Sequence, residues 1–200
     1  MVHTQGHLIA FEGLDQSGKQ TQAERLLSAI RESGREAHFV SFPDYETHIG
    51  TEIGRALRGE RDYGADVMQL LYIANRYEHR AGINQWLAGG GVVVCDRYVA
   101  SSVAYGEAQG LAPEWLMAIQ QQLPQPSLTL LLDIPPEASL ARKQRGRDRY
   151  EQDLQLLGRV RESYQRQAAA DGWLRLDGAR TKDAVTLDVF SAVRSRLGLL

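Results

Sequence analysis

Gly13-Leu14-Asp15-Gln16-Ser17-Gly18-Lys19-Gln20-Thr21 decides the fold of this 200-residue chain. The spacing from Gly13 to Gly18 and Lys19 is that of a phosphate-binding loop, in which a strand turns through glycines into a helix. Glycines let successive backbone N–H groups point inward around phosphate oxygens. The following helix adds its positive end, and Lys19 sets a point charge against the β- and γ-phosphates of a nucleotide such as ATP. The flanks fit: Leu8-Ile9-Ala10-Phe11 reads as a short buried strand and Gln22 to Arg31 as a helix. A glycine-rich turn followed by an exposed lysine is the plainer alternative, and the strand–loop–helix order weighs against it. All nine residues from Gly13 to Thr21 are expected ATP contacts.

Two residues of the loop are irregular. Gln20 stands where a Ser or Thr hydroxyl usually binds magnesium, and Thr21 is turned about 100° away from that position on the helix. Asp15 places a carboxylate inside a nest built for anions, so it needs a partner. A sugar hydroxyl or magnesium would serve, and Asp15 is therefore both a candidate metal ligand and a candidate contact to an acceptor.

Outward from the loop, short apolar runs at Leu8 to Phe11, His38 to Phe42, Gly91 to Cys95, Leu128 to Leu132 and Leu174 to Leu176 alternate with helix-like segments. This predicts an α/β fold with a five-stranded parallel sheet flanked by helices, in a single domain spanning residues 1–200. Glu12, Asp96, Asp133 and Asp177 close four of the strands, and open α/β sheets bind ligands beyond the carboxyl ends of their strands. Asp66 to Leu87 has helical spacing, with Leu70, Ile73, Ala74 and Tyr77 able to share a face. The 23 basic and 25 acidic residues leave a net charge of -2, which argues against nucleic-acid or membrane partners. Cys95, the single cysteine, lies in an apolar run and reads as a core thiol, which excludes an internal disulfide. No run approaches the roughly 18 apolar residues of a membrane helix, and residues 1–6 show no leader pattern. A cytoplasmic protein is expected. His3, His7, His38, His48 and His79 show no metal-ligand spacing.

The buried strand Gly91 to Cys95 delivers Asp96 and Arg97 to the sheet edge that carries the phosphate loop. Asp96 can hold magnesium directly or through water, and the fork of Arg97 can clamp phosphate oxygens and neutralise charge during phosphoryl transfer. A structural ion pair at a strand end is the competing reading. If the acceptor is a monophosphate no general base is needed, because its second pKa of about 6 leaves it mostly dianionic at neutral pH.

The run Asp96-Arg97-Tyr98-Val99-Ala100-Ser101-Ser102-Val103-Ala104-Tyr105, following Phe11-Glu12-Gly13-Leu14-Asp15, resembles the thymidylate kinase family of P-loop nucleoside monophosphate kinases. Phe42-Pro43, Leu70 to Glu78, Leu123-Pro124-Gln125-Pro126, Pro135-Pro136-Glu137 and Asp148-Arg149-Tyr150-Glu151 extend the likeness along the chain. The departures are Gln20, and Gly106 where a small polar residue is more usual. The resemblance implies transfer of the γ-phosphoryl group of ATP to dTMP with Mg2+, in a homodimer, with Lys19, Asp96 and Arg97 among the catalytic residues. Asp66 to Leu87 and Tyr98 to Gln109 are the helices considered for the dimer contact. A kinase for dUMP or another deoxynucleoside monophosphate, and a non-catalytic P-loop nucleotide-binding protein, stay open as alternatives.

For the acceptor, Tyr72 and Arg76 stand four apart on the long helix. Spacing alone favours a core tyrosine beside a surface arginine, whereas the resemblance implies that Tyr72 stacks on thymine and Arg76 donates to its O4. It further implies Ser101 or Ser102 near the base edge, Tyr105 under the sugar where it disfavours a ribose 2′-hydroxyl, and Tyr45 near the acceptor phosphate, with Phe42 packing beside it. Residues 138–150 read as a lid. Arg142 to Arg149 holds five of the 23 basic residues within eight positions, and a solvated helix is the plain alternative to a cationic flap over ATP. Gln16 occupies the loop position where one class of the family has an arginine, so the resemblance assigns that charge to the lid, to Arg142 and Arg149 foremost and then Arg147. Arg180, in Asp177 to Lys182, resembles the loop beside adenine.

Overall fold

The structure, a computed structural model, describes residues 6–142 and 153–200. In chain order the elements are β1 (His7–Glu12), α1 (Lys19–Glu32), β2 (Ala37–Ser41), α2 (His48–Leu57), α3 (Ala65–Ala88), β3 (Val92–Asp96) and α4 (Val99–Ala108). They continue with α5 (Pro113–Ala118), β4 (Leu128–Asp133), α6 (Pro136–Arg142), α7 (Leu154–Asp171), β5 (Leu174–Asp177) and α8 (Lys182–Leu197). All five expected strands form, and they pair in parallel in the order β2-β3-β1-β4-β5.

Strand residues alternate between two helical layers. Ile9, Phe11, Val92, Val94, Leu128, Leu130 and Leu132 pack on α1 and α8. Leu8, Ala10, Val93 and Cys95 face Ile83 of α3 and Tyr98, while Leu131 meets α4 and α7. Because both faces are covered, the strands read as nearly unbroken hydrophobic runs. Cys95 is 0% exposed, and burial pushes its thiol well above the ordinary range.

Register sets the site. Phe11 pairs with Asp96 across β1 and β3, and Ser41 with Asp96 across β2 and β3, so the loops after all three strands emerge together. Two further backbone bonds continue the ladder past the strand ends: Arg97 N–H to Phe11 O and Phe42 N–H to Asp96 O, both 2.9 Å. The turn at Gly13 must be glycine, since a Cβ there would stand 2.4 Å from Leu132 O at a φ of 138°. Gly106 serves packing, because it lets Leu116 of α5 lie against α4 where a Cβ would come within 2.5 Å of its Cδ1.

The strand-end acids, expected together at the ligand edge, have separate roles. Asp133 is held by Arg161 at 2.6 Å, Arg175 and Gln165, and Asp177 accepts the Ala179 N–H at 2.9 Å within its turn. Glu12 is buried beneath α4 and α7, which leaves Asp96 at the edge of the cleft. No described helix is long and apolar enough to cross a membrane.

Candidate active site

α2, α7 and α8 begin on the capping side chains Thr47, Asp153 and Thr181, whereas α1 begins on Gly18 with φ 100° and no side-chain cap. The N–H groups of its first turn therefore stay available to an anion. Lys19 is 5% exposed, and its Nζ donates to Leu14 O at 2.8 Å across the loop. Burial draws its pKa down, Arg97 adds to that, and Asp96, Asp15 and Glu12 oppose it. Gln16 has a φ of 62°, a left-handed conformation that costs a non-glycine residue about 1–3 kcal/mol and is found where surrounding contacts enforce it. Two contacts hold this part of the loop: Ser139 Oγ donates to Asp15 O at 2.7 Å and Arg142 Nη1 to Gln16 O at 2.9 Å.

Arg142 also donates through Nη2 to Gly178 O at 3.0 Å, tying the phosphate loop to the turn after β5. Arg180, in that turn, is paired with Asp188 and lines the same cleft. Arg142→Ala should lower kcat/KM for ATP about tenfold, the worth of a charge-assisted hydrogen bond. The KM for the phosphoryl acceptor should stay within about twofold, as steady-state kinetics with each substrate varied would show. Arg149 and Arg147 lie outside the described residues.

Arg97 occupies the seam between this cleft and a second pocket. Its Nη2 pairs with Asp15 at 2.7 Å, Nη1 donates to Gly13 O, Ser101 Oγ and Tyr164 OH, each at 3.2 Å, and the guanidinium lies 5.4 Å from the Tyr105 ring centre. Tyr105 OH donates to the other Asp15 oxygen at 3.2 Å. Burial alone would raise the Asp15 carboxyl, but the Arg97 and Lys19 charges and these bonds outweigh it and hold the group well below the usual carboxylate range. Asp15 thus meets an arginine and a tyrosine with its two oxygens. Asp96 differs: its Oδ1 is buried and has no hydrogen-bond partner, a donor atom fit for magnesium or its water. The Gln20 amide is spent on Glu24 at 2.9 Å, and Thr21 lines the cleft. Among the described residues no cluster of three or more His, Cys, Asp or Glu could hold a metal ion by itself.

The second pocket is walled by Phe42, Pro43, Tyr45, Tyr72, Arg76, Ser101, Ser102 and Tyr105, with Asp15 and Arg97 at the seam. Arg76 is 3% exposed, donates to Ser102 Oγ at 2.7 Å and lies 5.8 Å from the Phe42 ring centre. Among the described residues no carboxylate reaches it, its Nε has no partner, and burial pulls its pKa down. The Glu12 charge opposes that fall from a distance, and a buried cation with no carboxylate in contact keeps donor capacity for a ligand carbonyl. The two serines divide: Ser102 belongs to Arg76 and Ser101 to Arg97.

The expected residues within the described segments, other than Gly13 and Leu14, thus line one continuous trench, with Asp15, Phe42, Pro43, Tyr45 and Arg97 common to both halves; the Leu14 side chain instead packs into the core against α4 and α7. Sequence reasoning missed three contributors. Gln69, 1% exposed, lines the pocket with Oε1 unpartnered. Glu12 belongs to the Phe11-Glu12-Gly13 element that carries the resemblance, yet its residue type at a strand end gave it no role. Tyr164 had no signal, since a tyrosine on an amphipathic helix is usually core.

The family model for thymidylate kinases matches residues 11–189. The chain belongs to the thymidylate kinase family. The thymidylate kinase of Plasmodium falciparum is 35% identical over 189 residues, which is 94% of this chain and 90% of that protein. That of Danio rerio is 36% identical over 186 residues, 92% of this chain and 88% of its own length. A solved structure of the thymidylate kinase from Candida albicans matches with a TM-score of 0.82 at 30% identity, covering 96% of this chain and 92% of that one. The span of the thymidylate kinase match takes in both halves of the trench.

Proposed function

We propose that this chain transfers the γ-phosphoryl group of ATP to dTMP, giving ADP and dTDP. Arg97 carries the reading: a strand end places its guanidinium, bonded to the phosphate loop at Gly13, on the wall shared by the ATP cleft and the acceptor pocket.

Each step is one of positioning and charge. ATP lays its phosphates across the first turn of α1, and Lys19 leaves Leu14 O to meet the β- and γ-oxygens. Arg142 holds the rim of that cleft, and Arg180 lies where the adenine enters. The acceptor base enters between Tyr72 and Phe42, with Arg76 donating to O4 and Ser102 beside it. Tyr105 lies under the deoxyribose and leaves no room for a 2′-hydroxyl, Asp15 accepts from the 3′-hydroxyl side, and Tyr45 reaches the acceptor phosphate. The dianionic monophosphate attacks the γ-phosphorus and ADP leaves, while Arg97 neutralises the oxygens between them. Asp96 is the residue suited to hold Mg2+, which when bound neutralises charge on the β- and γ-phosphates. Arg149 belongs to this scheme by sequence alone.

Two further assignments rest on the same reasoning. The family resemblance supports a homodimer, and α3, which exposes Leu70 at 45% and Val67 at 38%, offers an apolar face for it. α4 does not, because it is packed among α3, α5 and α7 and keeps no exposed residue. A cytoplasmic site of action fits the substrates.

ADP release, measured by a coupled assay with each deoxynucleoside monophosphate in turn, tests the reading. dTMP should be fastest. dUMP, short of one methyl group, should fall behind by roughly 10–200-fold in kcat/KM. The Candida albicans relative, whose structure is described as revealing the origin of broad substrate specificity, makes this comparison informative. Turnover fastest with another monophosphate would reassign the acceptor. Nucleotide binding without turnover would leave a P-loop binding protein.

A further inference from the structure

We infer that Glu12 and Tyr164 are positioning residues for the transfer step: they fix the direction of the hydroxyl protons beneath Arg97 and so hold its guanidinium at the seam. The inference rests on the phosphoryl-transfer reading above.

Glu12 ends β1 with its side chain turned to the α4 and α7 side, and it is 0% exposed. Oε1 accepts the Tyr98 N–H at 2.8 Å, and Oε2 accepts the Ser101 hydroxyl at 2.7 Å and the Tyr164 hydroxyl at 3.2 Å. Among the described residues no lysine or arginine pairs with it directly. Its hydrogen-bonded link to a cation runs through the two hydroxyls, which lie 2.8 Å apart and each accept from Arg97 Nη1 at 3.2 Å, while its charge also acts across space on Lys19 and Arg76. A guanidinium only donates and an ionised carboxylate only accepts. Each hydroxyl between them must therefore send its proton away from Arg97 and turn a lone pair toward it. Ser101 gives its proton to Glu12, and Tyr164 gives its proton to Glu12 or Ser101.

The carboxylate thus sets the polarity of the whole cluster. A carboxamide in its place can donate into the same oxygens, which would then point protons at the Arg97 N–H groups. Arg97 is sensitive to such a change, because its φ of 64° is a conformation that neighbouring contacts must hold against its own preference. Holding the Tyr98 N–H ahead of α4 accounts for Oε1 but not for Oε2. A fully buried carboxylate met by three neutral donors is costly compared with an apolar side chain of the same volume. Its hydroxyl contacts instead converge on the one arginine at the seam. Tyr164, 1% exposed, reaches the cluster from α7, 67 residues beyond Arg97.

The test is steady-state kinetics with ATP and dTMP for Glu12→Gln and Tyr164→Phe, each alone and combined with Arg97→Ala, with thermal unfolding to confirm folding. Glu12→Gln should lower kcat about 100-fold, as expected for a small displacement of a catalytic group, and Tyr164→Phe about tenfold. KM for both substrates should move less than about threefold. In the Arg97→Ala background neither change should cost more than about twofold, since groups acting through one residue are not additive. A loss that carries over in full to that background overturns the inference, as does a folded Glu12→Gln enzyme with wild-type kcat. Should Glu12→Gln fail to fold, Tyr164→Phe, which removes one oxygen, decides by the same comparison. A wild-type enzyme without turnover on any monophosphate would overturn the transfer reading itself, and the inference with it.

Discussion

Arg97→Ala should lower kcat with dTMP by about 10³-fold, the scale seen when a preorganised cation or donor is removed from a phosphoryl- or acyl-transfer site. The size reflects where the guanidinium stands. It lies between the two pockets, where the moving group carries its charge, and four neighbouring oxygens fix it in place before any substrate arrives. Burial disfavours its charge, but the Asp15 carboxylate outweighs that and keeps Arg97 protonated. The substitution also leaves Asp15 facing the phosphates without its partner, so repulsion adds to the lost attraction. Arg97→Lys keeps the charge without the planar fork, and should remain at least about tenfold below wild type. Rapid-quench turnover with both substrates saturating gives the measurement. A loss of less than about tenfold in Arg97→Ala would remove Arg97 from the reaction.

Lys19→Ala should cost about 10³-fold in kcat/KM for ATP, with dTMP binding, read by calorimetry without ATP, changed by less than about threefold. The lysine is buried against its own loop and bonded to Leu14 O, so it is held ready and needs only a change of side-chain partner to reach the phosphates. The free N–H groups of α1 should preserve some triphosphate binding in the variant, which places most of the loss in turnover. If Lys19→Ala weakened dTMP binding as much as ATP use, the lysine would be a structural part of the loop and this division of labour would be wrong.

Much of this was legible in the residues. Strands buried on both faces read as short apolar runs, and the spacing from Gly13 to Lys19 leaves few alternatives to a phosphate loop between β1 and α1. Asp96-Arg97 was legible because a strand end fixes where side chains emerge, although the left-handed backbone of Arg97 was not. The Arg97 backbone is tied to Phe11 O and its side chain to Gly13 O and Tyr164 OH, 84 and 67 residues away, which no local pattern encodes. Asp15 was readable as a carboxylate needing a partner, but its partners, Arg97 and Tyr105, come from 82 and 90 residues away. The strand-end acids misled for the same reason. Nothing near Asp133 shows that Arg161 and Arg175 will claim it, and nothing near Glu12 shows that α4 and α7 will close over it. The exposed face of α3 and the enclosed α4 were likewise inseparable by periodicity, since both carry apolar residues on much of their surface.

The single cysteine has a use beyond packing. Cys95 sits in β3 within the sheet, 0% exposed and with its thiol held protonated by burial. A thiol reagent added to the folded enzyme has no other cysteine to attack in the chain, so its rate of incorporation counts the openings of the sheet. The protein thereby carries its own clock for unfolding, and ligands that close the trench should slow it in proportion to how tightly they bind.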